Sequence, residues 1–279
     1  MTSQIYFQTT YDCNLKCEHC FQDSGPGKSD TTMNAEDFES VIEHLPKNGT
    51  RLNLTGGEIF KNMNLLWNYL EIIQESNKGR GEENQIVQVL QTNGFWGNQS
   101  QNKIKEILKK LQKFEVKKLD ITSEDRYHRE EGLKTQYLEN IGKANKLGKY
   151  VPTIGFRGAG ETKNIFPAGR GQDILDKENF KYNMGSDCKG ELNDGSPTID
   201  PFGNLYMCCF NMYQLPGNII YEPIEDIVKR AKGDRELRRL NSYGIRSVAR
   251  LNGMEEKEIR SIAEKHGDCG LCAKLNDLI

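Results

Sequence analysis

"YDCNLKCEHC", residues 11–20, sets three cysteines at positions 13, 17 and 20, a C-x₃-C-x₂-C spacing. Three thiols are an odd number for disulfides and one ligand short of a closed metal site. The segments on either side say what kind of chain carries them. Upstream, "SQIYFQTT" (residues 3–10) largely alternates apolar and polar side chains and predicts a strand. Downstream, Asn34 followed by Asp37 predicts a helix N-cap, with Phe38, Val41, Ile42 and Leu45 as the buried face. The same rhythm then repeats. "RLNLT" (51–55), "QIVQVLQT" (85–92), "VKKLDIT" (116–122) and "YVPTIGF" (150–156) read as strands. Residues 65–73, "NKIKEILKKLQKF" (102–114) and "TQYLENIGKANKLG" (135–148) read as helices between them. Strands alternating with helices predict an α/β fold with a parallel sheet, and five or six such units make an incomplete barrel or a strongly curved open sheet. After residue 165 the rhythm stops at the turn-rich "FPAGRGQ", and a boundary is expected near residues 165–180.

Composition narrows the function. Lys plus Arg is 38 and Asp plus Glu is 40, a net charge of −2, which supplies no long-range pull on nucleic acid or an anionic membrane. No apolar run approaches a membrane span. The start, "MTSQIYFQTTYDC", has neither a basic n-region nor an apolar h-region, so no signal peptide is expected and the cytoplasm is the expected compartment. Thiols stay reduced there, so the eight cysteines need work other than disulfides.

In barrel-like α/β folds chemistry gathers at the C-terminal ends of strands. Those ends read "TTYDCNLKCEHC", "TGGEIF" (55–60), "TNGFWG" (92–97), "TSEDRYH" (122–128) and "RGAGE" (157–161). Polar, glycine-rich chemistry on one rim argues for one ligand held across several strands. "TNG" and "RGAG" also read as ordinary turns, and "RGAG" lacks the G-x-G-x-x-G of a dinucleotide site. Three thiolates suit an iron–sulfur cube with one iron left open. The competing metal reading is a zinc knuckle with His19 as fourth ligand, which is strained because His19 lies inside the tight C-x₂-C turn.

With these motifs in hand, the chain resembles the radical S-adenosylmethionine (radical SAM) enzymes. "CNLKCEHC" follows the first strand, with His19 where that family often has an aromatic residue, and "TGGE" (55–58) follows the second. The resemblance implies a partial (β/α)₆ TIM-like barrel over residues 1–170. It implies a [4Fe–4S] cluster on Cys13, Cys17 and Cys20, whose open iron binds S-adenosylmethionine. It places Gly56, Gly57, Glu58, Thr92, Asn93 and Ser123 around that cofactor, with Glu58 accepting from its ammonium group, and it implies a one-electron reductant such as a flavodoxin or ferredoxin.

The second half holds Cys188, Cys208, Cys209, Cys269 and Cys272. "CKGELNDGSPTIDPFGNLYMCC" places Gly203 in a predicted hairpin turn, and "CGLC" closes the set. Together they resemble the small C-terminal auxiliary cluster domains called SPASM and Twitch, here residues 171–279. That resemblance implies a second [4Fe–4S] cluster on Cys188, Cys208, Cys269 and Cys272; a structural zinc is the other metal that could sit there. One thiol is then spare: adjacent residues on a strand face opposite ways, so only one of Cys208 and Cys209 reaches the cluster. The resemblance makes that one Cys208 and leaves Cys209 free. On its own residue type Cys209 also reads as a buried small hydrophobe or a substitute ligand. "TGGEIF", "NGFWG", "YH", "GNLYMCC" and "CGLC" are similar, in order, to segments of radical SAM peptide epimerases. This implies a peptide substrate and Cys209 as hydrogen-atom donor. Ser196 stands where that enzyme carries an aspartate, with Asp194 or Asp200 as possible replacements. Radical SAM epimerases and dehydrogenases of aminoglycoside or aminocyclitol sugars share the two-cluster layout. Tyr127 and His128 read either as cavity-lining residues or as loop packing, Arg157 as a partner for the cofactor carboxylate, and "KRAKGDRELRR" (229–239) as a solvated helix face.

Overall fold

The computed structural model describes residues 3–123, 125–156, 165–166, 168–178, 196–208 and 210–276. Strand β1 (Ser3–Gln8) is followed by α1 (Ala35–Glu43), β2 (Thr50–Thr55), α2 (Met63–Lys78), β3 (Ile86–Thr92), α3 (Gln101–Lys113) and β4 (Lys118–Ile121). The short α4 (Arg126–Glu130), then α5 (Thr135–Gly148), β5 (Thr153–Phe156) and α6 (Arg170–Glu178) complete the first part. The Asn34 cap is as the sequence predicts, accepting from the Asp37 N–H at 2.8 Å; at the start of α3 the structure adds a second cap, Ser100 accepting from Lys103 N–H at 3.3 Å. Helix α2 runs beyond residues 65–73, through a last turn of polar residues, Gln74 to Lys78, that carries no apolar mark.

The strands form one open mixed sheet of eight, in the order β5-β4-β3-β2-β1-β6-β7-β8. The first five are parallel, as expected. The finding the sequence does not predict is on the other side of β1. Strand β6 (Thr198–Ile199) pairs parallel to it, Tyr6 opposite Thr198 and Phe7 opposite Ile199. Strands β7 (Asn204–Tyr206) and β8 (Gln214–Asn218) then continue antiparallel. Gly203 makes the β6–β7 turn at φ +80°, as the hairpin reading predicts. The sheet therefore runs through both halves of the chain, and α1 anchors the second half further: His44 Nδ1 lies 2.7 Å from the Ile219 carbonyl.

Period-two alternation gives β1 two different faces. Ile5 and Phe7 are buried in the helix-covered core, where the rings of Phe7, Phe38 and Tyr69 stack at 5.1 and 4.1 Å. Tyr6 and Gln8 face the opposite way and line a cavity. Beyond β8 come α7 (Ile224–Ala231), α8 (Arg235–Tyr243), α9 (Ile245–Leu251) and α10 (Glu256–Asn276), the last kinked at Gly267. The basic run 229–239 is not one helix face: Asp234 caps α8, accepting from Leu237 N–H, and splits the run between α7 and α8. Among the described residues no helix is long and apolar enough to cross a membrane.

Candidate active site

The cavity, about 410 Å³, opens beside the C-terminal ends of the parallel strands. Cys13, Cys17 and Cys20 all line it, as do Gly56 and Gly57 after β2 and Thr92 and Asn93 after β3. None of the three thiols is in a disulfide. The loop that bears them closes on itself through Gly25 N–H to the Tyr11 carbonyl and Cys13 N–H to the Gly25 carbonyl, both 3.1 Å. Backbone N–H groups of Leu15 and Ser24 point at the sulfurs of Cys13 and Cys20, each at 3.4 Å, which suits thiolate ligands. Burial pushes the Cys13 thiol up to about 12, and Cys17 is raised too, by burial first and then by Cys13 and Cys20. Without a cation these thiols keep their protons; a metal cluster must displace them.

The glycine pair has a backbone reason. Gly56 sits at φ +140°, and a Cβ there would run into the Thr10 carbonyl; at Gly57 it would run into the Asp12 carbonyl. The turn presses against the root of the cysteine loop, with Gly57 N–H donating to Thr10 O at 2.7 Å and Glu58 N–H to Asp12 O at 2.9 Å.

Two expected cofactor contacts, Glu58 and Ser123, sit behind the cavity wall rather than in it. The Glu58 carboxylate is buried and accepts from Phe60 N–H (2.9 Å), Thr92 Oγ1 (2.8 Å) and Asn93 N–H (2.6 Å). Ser123 Oγ donates to the Asn93 carbonyl at 2.6 Å. Glu58 thus positions Thr92 and Asn93, and Ser123 positions Asn93. Asn93 in turn donates from Nδ2 to Asn14 Oδ1 at 2.9 Å, tying strand end to cysteine loop. Loss of water outweighs the three donors, so burial pushes the Glu58 carboxyl up to about 7. A raised folded-state value means this group favours the fold at low pH, and that contribution falls as pH rises from the ordinary 4.5 toward 7. In Glu58→Gln an amide N–H would face groups that are themselves donors. We expect a loss of about 1–3 kcal/mol in urea unfolding at acidic pH, and a stability profile that no longer falls between those two values.

Arg170 is a residue the sequence reading passed over as part of a bend. Its Nε donates to the Cys17 carbonyl at 2.9 Å and its guanidinium to the Ser24 carbonyl at 2.6 Å, and it pairs with Asp23. Gly169 before it, at φ +54°, lets the segment lie on the Cys20 and Phe21 carbonyls.

His128 and Tyr127 fall in the site. Asp125 caps α4 and both its oxygens lie 2.9 Å from His128 Nδ1; His128 lines the cavity. His19 stacks on Tyr127 at 4.8 Å and meets His128 edge-on at 5.0 Å. Burial, then the charges of His128 and Arg170, hold His19 down at about 4 despite the opposing pull of Asp125, so its imidazole is neutral at neutral pH.

The far wall comes from the second half. Phe210 lines the cavity and stacks on Phe166 at 3.8 Å, with Phe21 edge-on at 5.3 Å. Cys208, Cys269 and Cys272 pack in that same apolar cluster. Asn211 exchanges two amide hydrogen bonds with Gln8, at 2.7 and 2.6 Å, which pins the turn after Cys208 to β1. Three of the four expected auxiliary ligands are thus gathered. Cys188 and Cys209, and with them Asp194 and Arg157, lie outside the described residues. Asp200 is spent on the β6–β7 hairpin: it accepts from the N–H groups of Phe202 and Asn204, from Asn204 Nδ2 and from Tyr206 OH. Ser196 precedes β6 and is half-buried.

The family model of the radical SAM superfamily matches residues 7–164, more than half of the chain. The chain belongs to that superfamily, and membership implies a [4Fe–4S] cluster and S-adenosylmethionine. Two Bacillus subtilis (strain 168) proteins are similar. YydG, described by a role in peptide biosynthesis, is 35% identical over 118 residues, 42% of this chain and 34% of YydG. The antilisterial bacteriocin subtilosin biosynthesis protein AlbA is 41% identical over 59 residues, 21% of this chain and 13% of AlbA. The matched region thus spans about a third of YydG and less of AlbA. Among solved structures, BtrN in complex with AdoMet and 2-DOIA has a TM-score of 0.54 at 16% identity, covering 98% of this chain and 92% of BtrN. The structure of anSMEcpe with bound AdoMet has a TM-score of 0.52 at 15% identity, covering 100% of this chain and 96% of that one. These likenesses are of fold: a radical SAM α/β fold built on a mixed sheet. The donor set fits the family's cluster: three reduced thiols on one cavity wall, two of them met by backbone N–H groups. Because Arg170 ties the loop carbonyls, Arg170→Ala is expected to shed iron to a chelator several-fold faster than the native reconstituted chain, followed by loss of the cluster absorbance.

Proposed function

We propose that the chain is a radical SAM enzyme that inverts L-residues to D-residues in a ribosomally made peptide, with Cys209 as the hydrogen-atom donor. The observation that carries this reading is the turn that follows Cys208. Phe210 stands in the cavity wall, and Asn211 is paired to Gln8, which lines the same cavity. The residue between Cys208 and Phe210 is Cys209. The peptide-biosynthesis descriptions of YydG and AlbA support a peptide substrate.

Residues 1–170 would form the partial barrel, with Cys13, Cys17 and Cys20 holding its cluster. Residues 171–279 would form the auxiliary unit, with Cys188, Cys208, Cys269 and Cys272 holding a second. Bound together, the first cluster and S-adenosylmethionine would supply, on receipt of one electron from the reductant and release of methionine, a 5′-deoxyadenosyl radical able to take one α-hydrogen. Gly56, Gly57, Thr92 and Asn93 would orient the cofactor's amino-acid end, and Glu58 and Ser123 fix Thr92 and Asn93. Cys209 returns a hydrogen atom to the opposite face of the carbon, and the thiyl left behind takes one electron and one proton to become a thiol again. The second cluster, fed by a reductant of the flavodoxin or ferredoxin kind in the cytoplasm, would supply that electron.

One observation favours the sugar reading as the second candidate. Dehydrogenating an aminocyclitol carbinol requires a base for the hydroxyl proton, and the Asp125–His128 pair sets an oriented imidazole on the cavity wall. The test is a reaction in D₂O with the peptides encoded beside this chain's reading frame and, separately, with an aminocyclitol. A D-residue with deuterium at its α-carbon is the expected result. Loss of two hydrogens from the aminocyclitol, with peptides unchanged, would overturn epimerisation.

A further inference from the structure

We propose that Cys17, His19 and His128 form a site for one divalent cation of borderline softness, zinc or cobalt(II) in kind, in the cluster-free chain. The ligand atoms of these three residues lie within 4.8 Å of one another. They come from two elements, the cysteine loop and α4, that the fold brings face to face. His128 is already held as metal-bound histidines are: Asp125 takes its Nδ1 at 2.9 Å, which leaves Nε2 for an ion. His19 Nδ1 is a buried atom with no hydrogen-bond partner, a vacancy an ion would satisfy. Cys17 is steadied through its carbonyl by Arg170 Nε at 2.9 Å.

One sulfur and two imidazole nitrogens select zinc-like ions over magnesium or calcium. Ligand atoms around a tetrahedral zinc stand about 3.5 Å apart, so the side chains must close by about 1 Å, within the reach of rotation about their own bonds. Three protein ligands leave the fourth position open to the cavity. The knuckle reading, with three cysteines and His19 on one zinc, is strained by the tight turn; this site uses a single cysteine and recruits His128 instead. Cys17 is shared with the expected cluster, so ion and cluster exclude each other, and the ion must leave before the cluster is built.

The test is cobalt(II) titration of the anaerobic, iron-free full chain, read by thiolate-to-cobalt charge transfer and the visible bands of tetrahedral cobalt. Cobalt held by the C-terminal cysteines is common to all variants and cancels in differences. The expected result is that His128→Ala, His19→Ala and Cys17→Ala each remove one equivalent, while Cys13→Ala and Cys20→Ala keep it at native affinity. Asp125→Asn, which retains every ligand and can still cap α4, should weaken that equivalent by about tenfold or more. An equivalent that depends on Cys13 and Cys20 but not on His128 would be an ordinary three-thiolate site and would overturn the proposal, as would native binding in His128→Ala and His19→Ala.

Discussion

Cys17→Ala is expected to take the iron of the reconstituted protein from about eight atoms per chain to about four, and to bring 5′-deoxyadenosine formation below detection. The reason is geometric. Cys17 is the middle one of the loop's three expected ligands, buried in the cavity wall and held through its carbonyl by Arg170. Its neighbours Cys13 and Cys20 belong to the same wall. Two remaining thiols cannot hold a cube that already leaves one iron open to S-adenosylmethionine. The fold should survive, because the loop keeps its backbone bonds to Gly25 and its Asp12–Lys61 ion pair at 2.6 Å. Iron analysis, circular dichroism and nucleoside chromatography on one preparation check all three statements. Unchanged iron content in Cys17→Ala would show that the loop is not the ligand set.

The second large effect belongs to Cys209→Ala. In the proposed epimerisation hydrogen abstraction would precede the donor's step, so deoxyadenosine should still form at a rate within a few-fold of native. The inverted residue should not accumulate, because the carbon radical finds no hydrogen on its far face. The expected pattern is a high ratio of deoxyadenosine to D-residue, with the α-radical quenched into other products. Chiral analysis of the hydrolysed peptide reads the outcome. Native yields of D-residue from Cys209→Ala would overturn the donor role of Cys209 and assign the returning hydrogen atom to another group.

Much of this architecture is legible in the sequence because two periods are strong in it. Ile104, Ile107, Leu108 and Leu111 recur at helical spacing and are buried in α3. Strands β2 and β3 are buried along most of their length, as parallel strands covered on both faces are, with Leu52, Leu54, Ile86, Val89 and Leu90 supplying the apolar signal although Thr50, Asn53 and Gln88 are buried beside them. The cysteine spacing and the glycine pair are equally local signals, and both land on the cavity. What is not legible depends on distant partners. Strand β6 has two residues, too few for a period, and its place beside β1 is decided by Tyr6 and Phe7 almost two hundred residues earlier. Glu58 reads as a ligand contact because it ends a motif, yet its direction is set by Thr92 and Asn93 on the next strand. The approach of His19 to His128 is a meeting of the cysteine loop with α4, and no spacing announces it. Arg170 lies in a stretch whose glycines explain the bend so well that the guanidinium goes unread.

The most direct test of the central claim is a count of iron per chain in the anaerobically reconstituted protein, taken with the deoxyadenosine formed from S-adenosylmethionine and dithionite. About eight irons together with the nucleoside is the predicted result. A chain that takes up no iron and yields no deoxyadenosine would contradict the account at its root.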